Sequence, residues 1–143
     1  MRFAPLATGV VAALMGAYLL FTWLANGGLR HAHGDQASSR FAPPLIFGHA
    51  GLAATGLAAW VAYLALGRTA IGWSSLGVLT GAASLGATMF GLWLRTQRLH
   101  GRHLAGPRHR AEDHFPPPVV VGHGMFAVST VALVLATVLL SAR

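Results

Sequence analysis

Four long stretches without Asp, Glu, Lys or Arg constrain the fold of this chain more than any other feature. They run from Phe3 to Leu24, from Pro43 to Leu66, from Ala70 to Leu94 and from Pro117 to Leu140. A helix needs about 20 residues to cross the hydrocarbon core of a bilayer. Strands are disfavoured because apolar and polar residues do not alternate and an open sheet in lipid would leave backbone groups unpaired. The sequence therefore predicts an all-α integral membrane protein, a bundle of four transmembrane helices.

The charge of the chain indicates its topology and not a nucleic-acid partner. Only 9% of the 143 residues are charged, which is too few to cover a soluble domain with 55% hydrophobic residues. The net charge of +7 comes from ten arginines at or between the apolar stretches, seven of them in the loops 26–42 and 95–116. By the positive-inside rule we expect both loops to be cytoplasmic, in a multi-pass protein of a bacterial-type plasma membrane. The expected partner of the apolar surface is the lipid bilayer.

The sequence repeats itself, which predicts a tandem duplication of a two-helix hairpin. The first hairpin covers residues 1–66 and the second covers residues 70–143, and together they form one transmembrane domain. Equivalent residues differ by 70 in the first part of each hairpin and by 74 in the second part, so four residues are inserted in the second loop. The equivalent pairs include Gly16 and Gly86, Trp23 and Trp93, His33 and His103, Phe41 and Phe115, Gly48 and Gly122, and His49 and His123.

Smaller features indicate how the helices pack. The short link Gly67-Arg68-Thr69 makes the second and third helices antiparallel neighbours. Glycine and alanine recur four residues apart in the first and third helices, which predicts close helix packing. Trp23 and Trp93 lie at equivalent ends of their helices, where we expect them to anchor the chain at the membrane interface.

His49 and His123 are the only ionisable side chains well inside the apolar stretches. Each lies six residues beyond the first proline of its helix, about 9 Å along the helix axis. An ionisable group at this depth is a candidate functional site. Two facing neutral imidazoles in apolar surroundings suit the axial positions of haem b. Four small residues would leave room for a flat macrocycle, namely Gly16, Gly48, Gly86 and Gly122.

This plan resembles the membrane-embedded b-type cytochromes, in which histidines on different helices of a four-helix bundle hold a haem. The resemblance covers the architecture and the two Gly-His pairs, Gly48-His49 and Gly122-His123. It departs from the b561-like group, which usually carries two bis-histidine pairs where this chain has one inside the membrane. The resemblance implies electron transfer near the cytoplasmic face, with a quinone or a membrane redox protein as partner, in a protein that is not a catalyst on its own.

Six further histidines lie in the two loops, where they are either solvated or bind metal. His33 and His103 are repeat equivalents, so they form a speculative second site for haem or for Zn(II), Ni(II) or Cu(II). The acids Asp35, Glu112 and Asp113 are expected to pair with arginines.

Two other functions stay open at this point. One is a transition-metal-handling membrane protein that uses the loop histidines. The other is a non-catalytic accessory subunit of a membrane complex, in which His49 and His123 bond to backbone carbonyls. The sequence gives no indication of the oligomeric state.

Overall fold

The computed structural model describes residues 3–29, 39–101 and 110–141. It contains four long helices, α1 (Ala4–Ala25), α2 (Pro43–Leu66), α3 (Thr69–Gly101) and α4 (Pro117–Ser141), and a short 3₁₀ helix, Ala111–His114, before α4. Each long helix includes a segment that is long and apolar enough to cross a membrane. The predicted architecture of four membrane-spanning helices is confirmed at this level.

Proline and glycine set the ends of α2. The helix begins with Pro43 and Pro44, and proline is tolerated there because the first amide groups of a helix have no intrahelical acceptor. It ends at Gly67, whose φ of 66° is a left-handed conformation that favours glycine. The N–H of Gly67 donates to the carbonyl of Tyr63 at 2.9 Å. The chain therefore reverses sharply, and α3 begins two residues later.

Helix α3 is longer than the sequence predicts. We expected it to end at Leu94 and a loop to begin at residue 95, but the helix continues to Gly101. The residues after Leu94 include Arg95, Gln97 and Arg98, which all favour helix, and no glycine or proline interrupts the chain before Gly101. The predicted start of the second loop was therefore wrong, because the end of the apolar run does not break the helix.

The four long helices form two closely packed pairs. Helix α2 packs along α3, and α1 packs along α4, while the contacts between α1 and α2 and between α3 and α4 are narrower. These contacts place the helices around the bundle in the order α1, α2, α3, α4, with α2 and α4 on a diagonal. We call the boundary between the α1–α4 pair and the α2–α3 pair the seam.

Two buried clusters fill the bundle. The loop-end cluster, next to the long connections, contains Trp23, Phe41, Ile46, Trp93, Ala111 and Val120. The turn-end cluster, next to Gly67, contains Trp60, Tyr63, Leu79, Val134 and Val138. Outside these clusters, large apolar side chains such as Phe3, Leu14 and Phe21 are exposed, as expected for a surface in contact with lipid.

The interfacial role predicted for Trp23 and Trp93 was wrong. Their side chains are 0% and 5% exposed, so neither reaches the surrounding headgroup region. The indole N–H of Trp23 donates to Oγ of Ser39 at 2.9 Å, in the segment that leads into α2. Trp23 therefore anchors the first connection to the bundle.

Candidate functional site

The structure brings the predicted histidine pair together in the seam. His49 on α2 and His123 on α4 have ring centroids 6.0 Å apart, with the ring planes inclined by 78°. Both side chains are partly buried. On their helices they lie between residues of the loop-end cluster, Ile46 and Val120, and residues of the turn-end cluster, Trp60 and Val134. The two imidazoles therefore occupy a layer between two apolar layers.

Each imidazole is held by a backbone carbonyl. Nδ1 of His49 lies 2.8 Å from the carbonyl oxygen of Ala82, and Nδ1 of His123 lies 2.9 Å from that of Ala12. A carbonyl oxygen only accepts, so each Nδ1 donates a hydrogen, and in the neutral imidazole with this tautomer Nε2 has the lone pair. Among the described residues neither Nε2 has a hydrogen-bond partner. Metal-binding histidines are commonly held in this way, with one nitrogen bonded to an acceptor and the other directed to the metal.

Each closely packed helix pair supplies one imidazole to the seam. The carbonyl that holds His49 belongs to α3, which packs along α2. The carbonyl that holds His123 belongs to α1, which packs along α4. The hydrogen bonds therefore stay within the pairs, and the ring-to-ring contact is made between them. A ligand in the seam would be approached by one imidazole from each side.

Gly16 and Gly86 make room for the imidazoles. A Cβ atom at Gly86 would lie 3.0 Å from Cε1 of His49, and one at Gly16 would lie 2.9 Å from Cε1 of His123. Both distances are shorter than normal carbon–carbon contacts. The sequence placed these glycines at the level of the histidines as space for a macrocycle. In the structure their immediate neighbours are the histidine rings. We therefore infer that Gly16 and Gly86 leave the space that the imidazoles occupy.

The other two predicted glycines contact the adjacent helix. A Cβ atom at Gly48 would lie 3.8 Å from Cδ1 of Leu85 on α3, an ordinary contact. At Gly122 it would lie 2.7 Å from the terminal methyl of Met15 on α1. Gly51 and Gly124 differ from these, because a Cβ atom there would have no neighbour within 4 Å among the atoms considered. Gly51 is exposed and Gly124 is partly buried, so neither glycine is required by a contact with a neighbouring helix.

The two histidines have matching surroundings. The residues whose carbonyls accept these hydrogen bonds, Ala12 and Ala82, differ by 70 in number, as do Gly16 and Gly86. Phe41 and Phe115, which differ by 74, stack on each other with ring centroids 6.2 Å apart. The same contacts are thus made twice, once around each imidazole.

The described residues contain no cluster of three or more His, Cys, Asp or Glu side chains that suits a metal ion. The pair His49 and His123 therefore has no third protein ligand within the described ranges. Two imidazoles suffice for a metal that brings its own equatorial ligands, as haem iron does. The speculative second site, His33 and His103, lies outside the described residues, as do His31 and His109. His114 is exposed on the short 3₁₀ helix.

Glu112 is a buried acid that the sequence did not single out. Its side chain is 1% exposed, and Oε1 accepts the backbone N–H of Arg40 at 2.8 Å. Oε2 is buried without a hydrogen-bond partner among the described residues. Burial raises the pKa of Glu112, against the opposing effect of hydrogen bonds from its own backbone and from Ser39. We expected an ion pair with arginine, and Arg40 donates to Glu112 through its backbone N–H.

Comparison of the chain with protein-family models, with curated proteins and with solved structures finds no match. The functional conclusion is therefore drawn from the residues and geometry of the site.

Proposed function

We propose that this membrane protein holds one haem b between His49 and His123 and transfers electrons near the membrane face on which its long connections lie. The observation that carries the proposal is the pair of imidazoles, each fixed through Nδ1 to a carbonyl and 6.0 Å apart between ring centroids. A metal bound by imidazole lies about 2 Å from the ligating nitrogen, so two rings on opposite sides of one metal have centres about 6 Å apart. The donor set and its spacing fit a haem whose iron His49 and His123 would hold.

The residues of the chain would perform three tasks at such a site. When bound, haem supplies one-electron chemistry between the ferric and ferrous states. The carbonyls of Ala12 and Ala82 fix the tautomer of the histidines and increase the basicity of each Nε2. Gly16 and Gly86 fix the position of the rings. The apolar clusters on both sides exclude water, which tunes the potential of a buried cofactor.

We also infer that the bundle is a tandem duplication of a hairpin, residues 1–66 and 70–143. The repeated sequence is one support, and the matching contacts around His49 and His123 are another. A duplication explains why two ligands of one type lie at one depth, since equivalent positions in related hairpins meet at the axis between them.

For the orientation we propose that the two long connections are cytoplasmic, because most of the arginines lie there. The chain has no cysteine, so single cysteines can report on topology. A membrane-impermeant maleimide should label Arg68→Cys in intact cells and should label His114→Cys only after permeabilisation. Both sites are exposed. The opposite labelling pattern would contradict the orientation.

The first test is a visible spectrum of the detergent-purified chain, oxidised and then reduced with dithionite, after expression with ample haem. We expect a low-spin b-type spectrum that is lost in the double variant His49→Ala/His123→Ala and retained in His114→Ala, a control at an exposed histidine. Circular dichroism of all three proteins checks that the helices persist. A folded parent protein without haem would contradict the proposal.

The same experiment separates the two other functions. The carbonyl bonds of His49 and His123 are also what an accessory subunit would show, but that role does not require the two rings to meet or both Nε2 atoms to be left without partners. An accessory subunit would carry no cofactor and would purify with other chains. A metal-handling protein would give no haem spectrum, and elemental analysis would find the metal.

A further inference from the structure

Glu112 is buried where the two long connections meet the bundle. The short 3₁₀ helix that carries it packs against α1, and its neighbour Ala111 belongs to the loop-end cluster. A carboxyl group that is 1% exposed and has one oxygen without a partner in the described part of the chain is costly in its charged form. Such a position suits a group that exchanges a proton.

Contacts of its neighbours hold Glu112 in this position. The backbone N–H of Arg40 donates to its Oε1. The adjacent Ser39 also hydrogen-bonds to the Glu112 carboxyl, and its Oγ accepts the indole N–H of Trp23 and the backbone N–H of Phe41. The acid is therefore tied to the first connection and to α1, while its own backbone belongs to the second connection.

Within the described ranges, two charged groups act on Glu112. Asp113 and Arg110, on its own element, raise and lower its pKa respectively, and burial has the largest effect, which raises it. Helix α1, against which the element packs, carries no charged side chain between Ala4 and Ala25. The carboxyl thus faces an apolar environment on the side of the bundle.

Apolar residues connect the surroundings of Glu112 to the histidine layer. Phe115, which follows the 3₁₀ helix, stacks on Phe41. Ile46 and Val120 are buried in the same cluster, and each precedes a site histidine by three residues, about one helical turn. Charges separated by apolar protein interact more strongly than charges in water. A change of charge at the histidine pair should therefore change the affinity of Glu112 for a proton.

We propose that Glu112 is a proton-binding site linked to the redox state of the site between His49 and His123. When a one-electron donor, a quinol of the bilayer or dithionite in the test, delivers one electron to the site, the Glu112 carboxylate takes one proton from the aqueous side of the connections. On oxidation one electron leaves and the carboxyl releases that proton. The inference rests on the proposed function, because it needs a redox cofactor at the histidine pair.

The direction of the linkage follows from electrostatics. An added electron makes the site more negative, which disfavours a second negative charge on Glu112 and strengthens proton binding. Between the pH at which Glu112 titrates in the oxidised form and the higher pH at which it titrates in the reduced form, the midpoint potential should fall as pH rises.

The test is a potentiometric titration of the haem-loaded protein at a series of pH values, with Glu112→Gln as the variant. Glutamine keeps an oxygen that accepts the N–H of Arg40 but takes up no proton. We expect a pH-dependent midpoint potential in the parent protein and a flat one in Glu112→Gln over the same range. A reduction-induced infrared band of a protonated carboxyl group should vanish in the variant.

Asp113→Asn is the matched control. Asp113 raises the pKa of Glu112, so its neutralisation should move the pH-dependent range to lower pH without abolishing the dependence. A haem-loaded parent with a pH-independent potential, or an equal pH dependence in parent and Glu112→Gln, overturns the linkage alone. A folded parent without haem overturns the proposed function and the linkage with it.

Discussion

Gly86 on α3 and His49 on α2 are in such close contact that a Cβ atom at Gly86 would lie 3.0 Å from Cε1 of the imidazole. Two residues of α3 therefore fix the position of the His49 ring. The carbonyl of Ala82 lies against Nδ1, and the backbone of Gly86 lies close to Cε1. Gly16 has the same relation to His123. The position of the two imidazoles in this bundle therefore depends on glycines, which have no side chain to reveal their role.

Alanine at these glycines should displace the rings. We expect Gly16→Ala and Gly86→Ala to cost about 1 to 3 kcal/mol through overpacking and to reduce haem content several-fold. Gly77→Ala is the control, because a Cβ atom there meets no neighbour and alanine favours helix by about 0.5 to 1 kcal/mol. The measurements are the ratio of haem to protein and the unfolding midpoint in detergent. Equal haem content in all three variants would contradict this role of Gly16 and Gly86.

A buried hydroxyl on α3 should contribute to the packing of α2 on α3. Oγ of Ser75 is buried and donates to the carbonyl of Gly56 at 2.8 Å. We expect Ser75→Ala to lower the free energy of unfolding by about 0.5 to 1.5 kcal/mol. Ser84→Ala should have little effect, because exposed Ser84 donates only to the carbonyl of Thr80 on its own helix. Titration with SDS, followed by circular dichroism, measures both.

Substitution by phenylalanine should lower the free energy of unfolding by different amounts at the two fully buried tryptophans, Trp23 and Trp60. Trp23 donates its indole N–H to Ser39, whereas the indole N–H of Trp60 has no partner in the described part of the chain. Both substitutions remove similar volume, but only Trp23→Phe removes a hydrogen bond, so it should cost about 1 kcal/mol more than Trp60→Phe. Chemical unfolding of both variants gives the difference. A larger loss for Trp60→Phe would show that packing outweighs the bond.

Stability should depend on pH through Glu112. Because burial raises its pKa above the ordinary 4.5, the folded chain binds more protons than the unfolded chain once pH exceeds that value. The contribution of Glu112 to stability is therefore largest at acidic pH and declines as pH rises through the folded-state pKa. Thermal unfolding of the parent and of Glu112→Gln across this range should show a pH-dependent difference. A constant difference would exclude titration of Glu112.

Much of the fold follows from the sequence because lipid permits few solutions. Uncharged runs of helical length predicted the four helices, and Pro43 and Pro117 marked the starts of α2 and α4. The repeat predicted that His49 and His123 meet, since equivalent positions share one depth. Arg95 and Arg98 misled us about the end of α3, because charge marks the edge of the bilayer and helix propensity decides where the helix ends.

The partners of the site residues could not be predicted in the same way. The acceptors for His49 and His123 are backbone carbonyls, which every residue has, so Ala82 and Ala12 carry no signal in the sequence. The burial of Glu112 depends on how residues 39–42 and 110–116 pack against the bundle, and most of the residues near it in sequence, Arg110, Asp113 and His114, are polar. Uncharged apolar runs locate the helices, while such contacts depend on the tertiary arrangement.

The packing of α1 along α4 has a consequence for the order in which the protein assembles. Helix α1 is synthesised before α2 and α3, and its main partner, α4, is synthesised after them. Helices α2 and α3 are joined by a two-residue turn, so each can pack on the other as soon as both have entered the bilayer. The first helix must therefore wait in lipid, or beside the insertion machinery, until α4 has been synthesised. Only then are both carbonyl-held imidazoles present, so the insertion of α4 completes the site.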